Sequence, residues 1–210
     1  QLLDQPSEWQ VTATASVPGY VLSAVAECSP QQVEKAAFVL RMGIKGDKAM
    51  KRYGKQVPEH AEGYFLQVTP EGAVVVGADA RGLYYGVQTL QQMMSEGRLG
   101  VCRISDWPDV AFRGSIEGFY GRPWSHEHRL RQLDFYGRHK MNVYIYGPKD
   151  DPYHRAHWRE AYPDEEAARI KELNERAKLR GVHFYWAIHP GLDIKWNDED
   201  RQHLVAKLEK

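Results

Sequence analysis

The chain has 210 residues, 42% of them apolar and 27% charged, which suits a globular protein and excludes a disordered one. Its 28 basic and 28 acidic side chains cancel, so no overall field draws it to nucleic acid or anionic lipid. No run approaches the roughly 18 apolar residues of a membrane-spanning helix, and Gln1-Leu2-Leu3-Asp4 lacks the basic and apolar regions of a signal peptide. A start without Met reads as a processed or trimmed terminus, which leaves room for a leader in the precursor. Cys28 and Cys102 are too few for a disulfide framework or a four-cysteine zinc site; they read as buried thiols, and their pairing stays open. The length holds one large domain or two small ones.

Residues 9–16 alternate apolar and small polar side chains, as a strand does. Ser29-Pro30 predicts a short helix, with serine as its cap and proline in its first turn. Residues 38–44 read as the next strand, which leaves that helix about two turns and points to a shortened loop near Ala37. YFLQV at 64–68 and AVVV at 73–76 flank Pro70-Glu71-Gly72, the signature of a hairpin. Leu83, Val87, Leu90 and Met94 form one apolar helix face, and Gly97 is its stop. These elements predict a small α/β domain over residues 1–106.

Residues 107–210 have a different rhythm. A strand over 110–117 leads into Gly118-Phe119-Tyr120-Gly121. Ser125 caps a helix that runs to about Arg138 with Leu130 and Leu133 inward. MNVYIY at 141–146 is a second strand, closed by Gly147-Pro148. Asp164 caps the next helix, with Glu165 and Glu166 at its positive end and Ala167, Ile170, Leu173 and Ala177 as its buried stripe. Gly181 ends it. A third strand over 182–188 stops at His189-Pro190-Gly191, and Asn197 caps a third helix carrying Leu204, Val205 and Leu208.

Three strand-helix units with apolar strands predict a parallel sheet, in a doubly wound fold or a (β/α)8 barrel. No phosphate-type glycine loop follows the first strand, which favours the barrel. The expected fold class is therefore α/β: a small N-terminal α/β domain, then the first three βα units of a (β/α)8 TIM barrel. A barrel takes about 250 residues, and three units cannot close one. The chain also ends inside its third helix with no stop signal. It reads as the front portion of a longer protein.

In a barrel the working groups sit at the C-terminal strand ends. Here those ends carry GFYGRPWS at 118–125, YGPKDDPYH at 146–154 and AIHPGLDIKW at 187–196. These segments, with MNVYIYGPKDDPYH the longest, resemble the bacterial O-GlcNAcases of glycoside hydrolase family 84, which are β-N-acetylglucosaminidases. Residues 62–94 resemble the hexosaminidase-type α/β domain that precedes the barrel in that family. The likeness runs from about Gly43 onward, and residues 1–42 depart from the family pattern.

The resemblance implies removal of terminal N-acetylglucosamine with retention, by substrate assistance. The sugar's acetamido oxygen attacks the anomeric carbon to form an oxazoline, an exception to the two-carboxylate retaining scheme. An adjacent Asp-Asp pair at the end of the fourth strand orients the amide and supplies the acid and base. Strand ends near 118, 147 and 189 place that pair beyond Lys210, so no catalytic residue is expected here and the chain alone should be inactive. Asp150-Asp151 is a different pair, and its residue types read as loop capping.

For substrate binding the resemblance points to the Gly118 carbonyl, the Lys149 ammonium and Tyr120. Glycine permits close approach of a ligand, and an ammonium donates to several oxygens. Trp124 and Trp186 read as core. His126-Glu127-His128 and His154 with His157 lack zinc-helix spacing, so neither metal nor cofactor is expected; His189 reads as a structural residue at the rim. The implied partners are N-acetylglucosaminide glycans or glycoproteins and the remainder of the same barrel, with no nucleic acid and no membrane span. The implied localisation is secreted or periplasmic. The alternatives are a non-catalytic carbohydrate-binding fragment and a family 20-like hexosaminidase.

Overall fold

The structure, a computed structural model, describes residues 1–94, 97–189 and 193–209. It divides into two compact units, Gln1–Ala111 with Arg138–Lys140, and Phe112–Gly137 with Met141–Lys210.

The first unit is mixed α/β. Its strands are β1 (Leu2–Asp4), β2 (Glu8–Ala13), β3 (Gln31–Gln32), β4 (Val39–Ile44), β5 (Tyr64–Thr69), β6 (Gly72–Gly77), β7 (Arg98–Gly100) and β8 (Cys102–Asp106). Its helices are α1 (Gly19–Ala26) and α2 (Ala80–Met94), with a 3-10 helix over Lys48–Tyr53. Six strands form one sheet in the order β3-β2-β4-β6-β5-β8. Strands β3, β2, β4 and β6 run parallel, and β5 is antiparallel to both its neighbours. The hairpin predicted at Pro70-Glu71 forms, with Thr69 opposite Gly72. Glycine is required at that corner, because a Cβ on Gly72 would lie 2.2 Å from the Val39 carbonyl oxygen of β4.

Alternation along the strands sorts the two faces. Val11, Leu40, Ala73, Val68 and Cys102 form one register row, and the next row on the same face brings Met42, Val75, Leu66 and Ile104. Both rows pack with Leu83, Tyr84, Val87 and Leu90 of α2 and Val21, Ala24 and Val25 of α1 into the main core. The opposite face holds a smaller cluster, Phe65, Val74 and Val76 under Met50 and Val57.

The helix predicted after Ser29-Pro30 does not form. Pairing with β2 captures that segment: the Gln31 amide donates to the Ser7 carbonyl and the Val33 amide to the Trp9 carbonyl. The helix lies earlier, as α1, following Pro18. Its buried Val21, Ala24 and Val25 have helical spacing, but no side chain caps its start.

The second unit alternates strand and helix: β9 (Gly114–Glu117), α3 (His126–Arg138), β10 (Val143–Tyr146), α4 (Asp164–Leu179), β11 (His183–Trp186) and α5 (Asp198–Leu208). The three strands are parallel neighbours in the order β11-β10-β9. The strand predicted from residue 110 starts only at Gly114, where β10 becomes available; Val110 and Phe112 are exposed instead. Ser125 caps α3 through the His128 amide at 3.3 Å, and Asn197 caps α5 through the Asp200 amide at 2.9 Å. Pro163, rather than Asp164, takes the cap position of α4, and Asp164, Glu165 and Glu166 fill its first turn. Leu173 and Ala177 of the predicted stripe are buried, whereas Ala167 is exposed. Pro190 and Gly191 of the predicted strand stop lie outside the described residues.

Candidate functional site

The site is built on one edge of the parallel sheet. Register pairs Glu117 with Tyr146 and Tyr146 with Trp186, so the three strands end level. The pairing continues one step: the Gly147 amide donates to the Glu117 carbonyl (3.1 Å) and the Ala187 amide to the Tyr146 carbonyl (2.7 Å). Gly118, Gly147 and Ala187 therefore open three neighbouring segments at one rim. A Cβ on Gly147 would stand 2.9 Å from that of Ala187, so the small residue keeps the rim tight.

Beneath the rim a buried ion pair anchors the first segment. Glu117 is fully buried and accepts a fork from Arg129 of α3, at 2.8 Å from Nε and 2.7 Å from Nη2. The Tyr144 hydroxyl and the Trp124 amide (3.1 Å) donate to the same carboxylate. Burial acts to lower the Arg129 pKa, but the bonds to Glu117 and the neighbouring charges reverse it, so the guanidinium stays charged. Its plane also lies 4.9 Å over the Tyr146 ring. One carboxylate thus fixes the end of β9 and the far end of the loop that holds Gly118 and Tyr120.

Asp151 organises the second segment. It accepts from the Tyr146 hydroxyl (3.0 Å), the Tyr162 hydroxyl (2.9 Å) and the amides of Tyr153 (2.9 Å) and His154 (3.2 Å). These bonds fit the loop-capping expectation. Burial raises the pKa of both tyrosines, and the Asp151 charge adds to it, so both hydroxyls stay protonated donors. Lys207 of α5 donates to the carbonyls of Tyr153 and Trp158, and Arg159 bridges Asp193 (2.6 Å) and Asp200 (2.7 Å).

Lys149 is half-buried and lines a concavity of about 530 Å³ with Asp150, Asp151, Arg155 and Asp193. Gly118 and Tyr120 do not line it. Tyr120 is 75% exposed, and the Arg155 guanidinium sits 5.9 Å over its ring, which links the first two segments. The His154 ring lies 6.0 Å from that of His189, which links the second and third. Burial pushes the His154 pKa down, favouring the neutral imidazole, with Asp151 opposing and His189 and Lys149 assisting. His126 pairs with Glu172 and His157 with Glu160. Trp124 and Trp186 pack against the core of this unit, as their residue types predict. The Glu117–Arg129 and Arg159–Asp200 clusters join residues 12 and 41 positions apart, and no local motif announces them.

Comparison with known proteins follows the same division of the chain. The beta-N-acetylglucosaminidase family model matches residues 113–210, and the model of glycosyl hydrolase family 20, domain 2 matches residues 6–107. The Protein O-GlcNAcases of Rattus norvegicus and Mus musculus are each 42% identical over 98 residues, 46% of this chain. A Beta-hexosaminidase of Vibrio vulnificus is 33% identical over 90 residues, 42% of this chain. The chain spans 11% of the length of each of these relatives. The solved structure of CpGH84B matches 100% of the chain with a TM-score of 0.85 and 33% identity, and that of CpGH84D does so with 0.84 and 26%. The chain covers 39% and 40% of those two. Residues 1–42, expected to depart from the pattern, fall within both structural matches.

Proposed function

Because the chain belongs to the O-GlcNAcase family, glycoside hydrolase family 84, we propose that it forms the N-terminal portion of a retaining β-N-acetylglucosaminidase. In this reading residues 1–106 are the accessory α/β domain and residues 107–210 the first three βα units of a (β/α)8 barrel. The observation that carries it is the level rim, where Gly118, Gly147 and Ala187 follow three parallel strands in register. The other sheet face supports the barrel. Tyr144, Tyr146, Phe184 and Trp186 pack under the helices, whereas Ile116 and Tyr185 on the opposite face are 63% and 46% exposed. Ile116, Ile145 and Tyr185 share one register row, an apolar stripe that the remaining barrel strands would cover.

In this mechanism the Gly118 carbonyl accepts from a hydroxyl of the N-acetylglucosamine ring, the Lys149 ammonium donates to ring hydroxyls, and Tyr120 closes against the sugar. These contacts hold the pyranose so that its own acetamido oxygen faces the anomeric carbon, an intramolecular attack of high effective molarity. The Asp-Asp pair that orients the amide and handles the proton comes from residues after Lys210. The substrates are terminal N-acetylglucosaminides on glycans or glycoproteins, and the enzyme works in the periplasm or outside the cell.

In the complete enzyme, Lys149→Ala should raise KM for aryl N-acetylglucosaminides and lower kcat/KM by about tenfold or more. Unchanged kinetics would remove Lys149 from the pocket. The 210-residue chain alone should not hydrolyse these substrates, and turnover by it would place the acid and base within this chain. The family 20-like reading draws on the match of residues 6–107 to the family 20 domain model; the carboxylate pair after Lys210 distinguishes it.

A further inference from the structure

The open half of the first unit's sheet carries an arrangement that the proposed hydrolase chemistry does not use. On the face away from α1 and α2, register places Arg41 of β4, Val74 of β6, Gln67 of β5 and Arg103 of β8 in one row. Paired residues on adjacent strands share a face, so both arginines rise from the same side. Three strand spacings separate them, about 14 Å in all, a gap that two arginine side chains leaning inward can close over a small anion. Arg52, from the 3-10 helix, approaches the same row with its guanidinium held 4.6 Å over the Tyr53 ring and donating to the Tyr53 hydroxyl. The three arginines border a concavity of about 430 Å³, together with Gln67 and Thr69, and among the described residues Glu71 is the one acid that lines it.

Among the described residues no carboxylate pairs with any of the three. That is unusual in a chain whose charges balance and whose other arginines often do pair: Arg81, Arg129, Arg159, Arg169, Arg176 and Arg180 all hold carboxylates. The small cluster under Met50 and Val57 covers one end of this face and reaches the row only at Val74. Guanidinium forks match tetrahedral oxyanions in geometry and charge. We propose that this concavity binds an oxyanion of the sulfate or phosphate class, free or carried as a sugar ester.

The test is isothermal titration calorimetry on the 210-residue chain at constant ionic strength. The probes are glucose 6-sulfate, glucose 6-phosphate, inorganic sulfate, inorganic phosphate and glucose. The oxyanions should bind and glucose should not. Esters that bind more tightly than the free ions identify a sugar-borne group, and equal binding identifies the free ion. Arg41→Gln and Arg103→Gln should each weaken binding about tenfold, and Arg41→Lys should restore only part of it, since charge returns without the fork. Thermal unfolding of each variant checks that the fold persists; if Arg41→Gln fails to fold, Arg52→Gln and Arg103→Gln carry the test. No oxyanion binding up to about 10 mM, or equal affinity in wild type and the triple glutamine variant, overturns the proposal. Neither result bears on the hydrolase reading, which rests on the other unit.

Discussion

Replacing Glu117 with glutamine removes the charge from the most enclosed carboxylate of the second unit while keeping its shape. Glu117 has no exposed side-chain surface and Arg129 only 12%. The arginine would keep its charge and lose its counter-ion in a site that water barely reaches. Breaking one partner of such a buried pair costs about 3–5 kcal/mol, because the remaining charge is left uncompensated. The bonds from the Tyr144 hydroxyl and Trp124 amide weaken as well, since a neutral acceptor replaces an ionised one. For a unit of this size a urea m-value of about 1.5 kcal/mol/M turns a loss of 3 kcal/mol into a midpoint about 2 M lower. Tryptophan fluorescence reports it, because Trp124 and Trp186 pack against this core. Pairing Glu117→Gln with Arg129→Met should recover much of the loss, since the double variant leaves no orphan charge. A midpoint shift under about 0.5 M for Glu117→Gln, or simple additivity in the double variant, would refute this account of the anchor.

Asp151→Ala removes acceptors from two hydroxyls and two amides; a loss of about 1–3 kcal/mol is expected, with faster amide exchange at Tyr153 and His154 by mass spectrometry. Gly114→Ala should prevent β9 from docking, because its Cβ would fall 1.7 Å from the Val143 carbonyl oxygen, whereas Gly100→Ala meets nothing within 4 Å and should leave the melting temperature within about 2 °C. Burial first, and the Glu27 charge second, push the Cys28 thiol to about 12; at pH 8 it stays protonated and should react with Ellman's reagent only on unfolding, while the partly exposed Cys102 reacts sooner.

Much of the second unit was legible in the sequence because its signals are local. Ser125 and Asn197 cap the helices that follow them, and the apolar strands recur between helical stripes. Boundaries slipped where the partner strand, rather than propensity, decides them, as at Gly114. In the first unit Ser29-Pro30 drew the helix to the wrong place. A good cap signal lost to sheet pairing at Gln31, and an uncapped but amphipathic segment at Gly19 formed the helix instead. Tertiary contacts outweigh capping by a side chain worth about 1 kcal/mol. The residues that anchor the rim were invisible for a different reason: Arg129 matters only once α3 folds back over β9, and no spacing rule reports that.

The two faces of the parallel sheet differ in a way that suits the proposed sugar site on this edge. Ser115 and Glu117 of β9 and Tyr144 and Tyr146 of β10 point under the helices, where every polar atom needs a partner; Ser115 meets the Tyr136 hydroxyl and Glu117 meets Arg129. The opposite positions are Gly114 and Ile116 of β9, Val143 and Ile145 of β10, and His183 and Tyr185 of β11, a set without acid, lysine or arginine. The Glu117–Arg129 anchor thus lies on the helix side of the sheet, and in the proposed barrel the opposite side faces the lumen. Gly118 follows Ile116 by two residues, and a Cβ there would contact Ile116 at 3.2 Å, so the glycine lies on the Ile116 side of the sheet while its neighbour Glu117 is locked behind it. In the proposed site, the locked Glu117 one residue away would hold the Gly118 main-chain oxygen in place for a sugar hydroxyl.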